Sequence, residues 1–358
     1  MDDEKKKFLI RSTLIILVGL LVFVIYLAFF VDIGDMIKEI SQANPWIYSL
    51  TFAVALFEVL FFAMAWRYLM RALSVKVSLK KTYAYMWISI FIDLIIPAES
   101  VSGEISRAYL MSREPNAETG KVVVSLVVHR VIMVLITMGT LLSGVLVLFV
   151  SNYPLSAFVM YLIWLVTIVT VAFLASVFVL LVKEKWMERL VDLLLRIACR
   201  IFRGRWRLEE LRERALVEVR SFYDGLETFG GNLKHFIWPV VLSFASWVFS
   251  ILVLFLVFVS LGFSVNWILW SIVVVVFSLI VTIKSVPIGV PAEVGLPEIA
   301  MTFLFTAMGI APGISAAVTI LSRLVSFAFK FVIGFVATQW FGIKAIMEGM
   351  NLGQKDKV

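Results

Sequence analysis

Three long stretches of this chain, Leu14–Val31, Leu155–Val182 and Phe236–Phe263, carry no charge at all. About 20 helical residues cross a hydrocarbon core roughly 30 Å thick. Uncharged runs of that length specify an all-α polytopic membrane protein. Composition agrees: 62% of the 358 residues are hydrophobic and 16% are charged, against roughly half and a quarter in soluble domains. No alternating strand pattern competes, which argues against a barrel. The basic N-terminal stretch leads into an apolar core too long for a signal peptide, so it reads as an uncleaved span. A single cysteine, Cys199, and two histidines, His129 and His235, leave no intramolecular disulfide, metal cluster or cofactor to expect. The formal net charge of +7 points to the cytoplasmic face and its anionic lipids rather than to nucleic acid.

The predicted order starts with an N-terminal anchor span and loop over 1–44. A first repeat covers 45–182, with a hairpin at 83–118 and a following span. An arginine-rich amphipathic connector occupies 183–234. A second, inverted repeat covers 235–342, with a hairpin at 267–310, and a tail follows over 343–358. Full spans are expected near Phe8–Val31, Pro45–Met70, Val122–Val150, Leu155–Val182, Phe236–Phe263 and Ile314–Trp340. Both the Arg/Lys cluster after Met70 and the 183–234 connector belong inside by charge bias. They share a side only if Tyr83–Ile96 enters the membrane and returns instead of crossing. Both termini are then cytoplasmic, in the cell membrane. Arg189, Asp192, Arg196, Arg200 and Arg203 share one face of the connector. That face either captures anionic lipid heads or lies solvated on the membrane.

The segment Pro97–Glu104, PAESVSGE, returns 194 residues later as Pro291–Glu298, PAEVGLPE. Pro45 and Pro239 stand in the same register upstream, and Arg130 and Arg323 follow downstream. With an odd number of crossings between them the repeats are inverted, and two re-entrant hairpins would meet near the midplane. Each charge at that depth costs about 3 kcal/mol or more, so Glu99, Glu104, Arg130, Glu293, Glu298 and Arg323 must face one another or water. The expected pairs are Glu104 with Arg130 and Glu298 with Arg323. They are either structural clamps or a site where the arginines hold a phosphate. The helix starts at Ser102 and Pro297 add positive helix ends beside the turns. Secondary candidates are Glu58, Asp93, Arg107, His129, Lys284 and Lys330. Of these, Glu58, Asp93, Lys284 and Lys330 have no mate in the repeat. His129 is either a proton shuttle or a hydrogen-bonded neighbour of Arg130. The aromatic residues read mostly as lipid-facing or belt residues.

From Pro97 through Gly103-Glu104 and Arg107-Ala108-Tyr109-Leu110 to Arg130, the sequence resembles a known family. It is the flippase-like transmembrane region of lysylphosphatidylglycerol synthases and of standalone bacterial and archaeal membrane proteins. Pro287–Gly295, Glu298 and Arg323 resemble that family's second block, and the likeness covers roughly residues 10–340. The resemblance implies translocation of a phosphate-headed lipid, such as an aminoacylated phospholipid or a polyprenyl-phosphate-linked sugar. The soluble aminoacyl-transferase domain is not among these residues, so lipid synthesis is not implied. No GxxxxGK[ST] motif occurs, so any drive is expected from ion gradients or from consumption of the lipid. The expectation is therefore a lipid transporter, not an enzyme, with membrane lipids and a homo-oligomer as possible partners. The alternatives are a membrane-embedded lipid transferase or phosphatase, and a secondary transporter of a small soluble anion.

Overall fold

The computed structural model describes residues 33–96, 101–114, 117–201, 208–231, 234–284 and 295–341. The N-terminal span, both PAE turns with Glu99 and Glu293, and the tail lie outside these residues. Every regular element among them is helical: α1 (Ile33–Gln42), α2 (Pro45–Ala72), α3 (Leu79–Ile95), α4 (Val101–Ser112), α5 (Thr119–Val150), α6 (Ala157–Val182), α7 (Glu184–Ile201), α8 (Leu208–Gly230), α9 (Lys234–Ser260), α10 (Trp267–Lys284) and α11 (Leu296–Ala307). The last, α12 (Pro312–Phe341), contains a π-helical stretch, Leu324–Phe329. Six of them (α2, α5, α6, α9, α10 and α12) are long and apolar enough to cross a membrane. α10, expected as a hairpin limb, qualifies with 18 residues.

Local chemistry sets the helix starts. Asn44 accepts hydrogen bonds from the Trp46 and Ile47 amides (3.0 and 3.3 Å), with Pro45 in the first turn, where its missing N–H costs nothing. Ser78 and Ser156 cap α3 and α6 in the same way.

Helix order and length recur. α2 to α5 have 28, 17, 12 and 32 residues, and α9 to α12 have 27, 18, 12 and 30. α2 and α9 make the most extensive helix pair. They run antiparallel. The Asn44 amide donates to the Ser260 carbonyl (2.7 Å) at one end. Ser246 Oγ donates to the Glu58 carbonyl (2.9 Å) along the way, and Tyr68 stacks on Trp238 at the other end.

The two helices expected as hairpin limbs, α3 and α10, each pack on a long helix from the other half of the chain. Gly144 of α5 lies against Ser271, Val274 and Val275 of α10, so closely that a Cβ there would sit 3.0 Å from Val275 Cγ2. The end of α10, Lys284, reaches the same cavity as Arg130, Val134 and Thr137 in the middle of α5. On the other side, Phe91 of α3 packs on Phe331 and Phe335 of α12, and Tyr85 packs on Phe341. A Cβ on Gly334 would meet the Trp87 carbonyl at 2.7 Å. The end of α3 therefore comes level with Lys330, near the middle of α12.

α8 docks on the start of α5. The Gly120 amide donates to Glu218 (2.6 Å), Ser221 donates to Glu118 (2.9 Å), and Val219 and Phe222 are buried. On the exposed side, Arg212 holds Asp192 of α7 at 2.7 Å.

Candidate functional site

A cavity of about 510 Å³ lies between helices of the two halves of the chain. Three acids, Glu58, Asp93 and Glu104, and four bases, Arg107, Arg130, Lys284 and Lys330, line it together with His129. They reach it from α2, α3, α4, α5, α10 and α12. The facing wall is unlike this one. α6 contributes Val166, Val169, Thr170 and Phe173, and the adjoining part of α5 contributes Met133, Val134, Thr137, Met138 and Leu141. Among the described residues the charged wall carries one more formal positive charge than negative.

Glu104 stands between two guanidinium groups. Its Oε1 is 3.7 Å from Arg130 Nη1 and 3.8 Å from Arg107 Nη2. Both distances exceed hydrogen-bond length, so one carboxylate is shared loosely by two cations. Arg107 is 7% exposed. Phe62 and Trp66 each lie 5.6 Å from its guanidinium carbon, a cation–π enclosure that keeps the charge fixed with little solvent. Aromatic residues are expected mostly at the lipid face or in interfacial belts. Trp46, Trp267 and Trp340 are indeed highly exposed, but Trp66 is fully buried.

The repeat-related pair is closed instead. Glu298 Oε1 and Arg323 Nε are 2.5 Å apart, with 8% and 15% of their side chains exposed, and neither lines the cavity. Both pairs expected from the repeat therefore form, but with opposite character: one loose and facing the cavity, the other tight and sealed. The π-helical stretch begins directly after Arg323. Its wider turn resets the helix phase, so that Ser326 and Lys330 face the cavity while Arg323 does not.

Glu58 and Lys330 have no mate in the repeat and pair with each other instead. Lys330 Nζ is 2.8 Å from both Glu58 oxygens, joining α2 of one repeat to α12 of the other. The helix starts are not vacant anion sites. Asp93 accepts from Ser102 Oγ (2.7 Å) and the Gly103 amide (2.6 Å) at the head of α4. Glu298 accepts from the Gly295 amide (2.7 Å) at the head of α11. Each N-terminal positive end is filled by the chain's own carboxylate. Gly103 is required for this: a Cβ would lie 2.3 Å from Asp93 Oδ2. Gly295, at φ 101°, holds the left-handed turn that aims its amide at Glu298.

His129 is 2% exposed, its ring lies 4.3 Å from that of Phe62, and its Nε2 has no hydrogen-bond partner. That nitrogen makes no bond to Arg130. No cluster of three or more metal-ligating side chains occurs among the described residues.

A family model described as the lysylphosphatidylglycerol synthase TM region matches residues 16–334. The chain is 25% identical over 334 residues to a UPF0104 membrane protein of Methanocaldococcus jannaschii, covering 91% of this chain and 94% of that one. A UPF0104 membrane protein of Pyrococcus horikoshii is 25% identical over 321 residues, 88% and 93% of the two chains. One from Methanothermobacter thermautotrophicus is 24% identical over 314 residues, 86% and 89%. No solved structure matches.

Proposed function

Because the chain belongs to the lysylphosphatidylglycerol synthase TM-region family, we propose that it carries a phosphate-headed lipid between the leaflets of the cell membrane through the central cavity, as a transporter and not an enzyme. The two unlike walls of the cavity carry this reading. Arg107 and Arg130 offer planar donors suited to phosphate oxygens, held apart by one loosely bound carboxylate. The α6 wall offers no charge and only one hydroxyl, on Thr170, which suits hydrocarbon. A soluble anion has no use for such a wall, so the cavity favours a lipid such as an aminoacylated phospholipid or a polyprenyl-phosphate-linked sugar.

The packing also supports inverted repeats with re-entrant hairpins. α3 and α10 each end level with the middle of a long span from the other repeat, as limbs that stop near the midplane do. The antiparallel α2–α9 pair is centred where Ala55 meets Phe249, its own repeat mate, as a pseudo-twofold axis in the membrane plane requires. With both termini cytoplasmic, α3 enters from the cytoplasm and α10 from outside. The loose Glu104 pair and the sealed Glu298 pair then represent one end state of a cycle whose other end exchanges their roles.

The test is scrambling of fluorescent phosphatidylglycerol in proteoliposomes, read by dithionite quenching. Wild type should equilibrate the leaflets, and Glu104→Gln and Arg130→Ala should slow this at least tenfold while still eluting as folded protein. Equal rates for all three would remove the site from the transport path.

A further inference from the structure

α6 is held in the bundle at both ends and stands away from it in between. Its first half enters the main core. At its far end the Leu180 carbonyl accepts from Tyr223 of α8, while Leu181 packs on the cluster around Phe222. Its buried residues are Val159, Ile163, Val166 and Thr170, and none after Thr170 is buried. The first three belong to the main apolar core. Along its whole length the helix keeps only sparse contact with α5. The departure takes place beside the cavity. Val166 and Thr170 are buried in its wall, whereas Val169 and Phe173 in the same wall are 48% and 45% exposed. The turn over residues 151–156 sets α5 and α6 antiparallel. Phe173 therefore comes level with Val134, and the next turn of α6 comes level with Arg130. The gap opens beside the charged cluster.

Size adds a second constraint. At about 510 Å³ the cavity matches pockets for small ligands, which run roughly 300–1,000 Å³. It holds a head group and the start of a chain, so the rest of a long chain must lie outside. Inside a membrane that exit has to be apolar, and α6 is uncharged from Ala157 to Val182.

Resting on the lipid-transport reading above, we infer that the half of α6 between Thr170 and its Leu180–Leu181 anchor on α8 is a lateral gate. The hydrocarbon chain of the transported lipid passes between this half and α5 into the leaflet on the α7–α8 side, while its phosphate stays beside Arg107 and Arg130. The α6 wall is the chain's binding surface and moves as the lipid enters or leaves.

A cross-link tests the gate. In a Cys199→Ser background, Val134→Cys and Phe173→Cys are joined by a reducible bifunctional thiol reagent, and scrambling of fluorescent phosphatidylglycerol is followed. The cross-link should slow scrambling at least tenfold relative to the unlinked variant, and reduction should restore it. An unchanged rate after complete cross-linking overturns the gate but leaves lipid transport standing. Absence of scrambling by wild type overturns both. A second measurement needs no double variant. Phosphatidylglycerol carrying a diazirine in its chain should label Val166, Thr170 or Phe173 in wild type, with a yield several-fold lower in Arg130→Ala. Labels only on outward residues such as Leu165 and Ile168 would exclude a chain from this wall.

Discussion

The Glu58–Lys330 pair makes a quantitative claim. Lys330 Nζ lies 2.8 Å from both carboxylate oxygens, and the side chains are 17% and 14% exposed. Removing one partner of a buried ion pair costs about 3–5 kcal/mol, because the other charge is left without compensation. Both residues line the cavity, where water can reach them in part, so the lower end applies. Glu58→Gln and Lys330→Met should each destabilise by about 3 kcal/mol. The double variant leaves no stranded charge and should fall within about 1 kcal/mol of wild type. The coupling in the cycle is then about 5 kcal/mol, well beyond the ~0.5 kcal/mol scatter of independent sites. Unfolding of the four proteins in mixed micelles, titrated with denaturing detergent, measures it. Single effects that simply sum to the double effect would mean that the two charges are separately hydrated and that no latch joins the repeats.

Other expectations are independent of this one. Gly103→Ala forces a Cβ into Asp93 and should cost about 1–3 kcal/mol, as overpacking does. Gly139→Ala, with open space around it, should be neutral or stabilising in the same assay. Arg323→Ala strands the buried Glu298 carboxylate and should lower stability by about 3 kcal/mol or more, a larger loss than Arg130→Ala gives at its half-open pair. Outside the membrane, hydrogen bonds from Lys121 and then Ser221 hold the Glu118 carboxyl below the ordinary glutamate range. A depressed carboxylate stabilises the fold above its unfolded value and loses that contribution as pH falls through the folded one. α8 should therefore stay docked at neutral pH and loosen below about pH 4. Hydrogen exchange at Val219 and Phe222 would show this, and Glu118→Gln should flatten the dependence.

The sequence disclosed the helices because membrane insertion demands long uncharged runs, and it disclosed the pairs Glu104–Arg130 and Glu298–Arg323 because an internal repeat places them twice. What it hid depended on partners far apart in the chain. Glu58 and Lys330 meet only through the α2–α12 packing, and the π-helical turn after Arg323 sets the phase that aims Lys330 at the cavity. No spacing rule reveals such a turn. The enclosure of Arg107 by Phe62 and Trp66 joins α4 to α2, and nothing in either helix alone marks those aromatics as different from lipid-facing ones. The filled helix starts were hidden too. Asp93 reads as one more intramembrane acid until Gly103 is seen to let it reach the α4 amides. The difference between the two pairs, one loose and one closed, depends on how the helices around each pack, whereas a repeat read from sequence is symmetric by construction.

The role proposed for the cavity is the binding of a lipid by its phosphate, and native mass spectrometry of the protein released from mild detergent tests that most directly. Wild type should retain a phosphate-headed lipid, and the Arg107→Ala/Arg130→Ala double variant should lose it while keeping its mass and fold. Equal retention by both proteins, or a bound population without phosphate, would contradict the account.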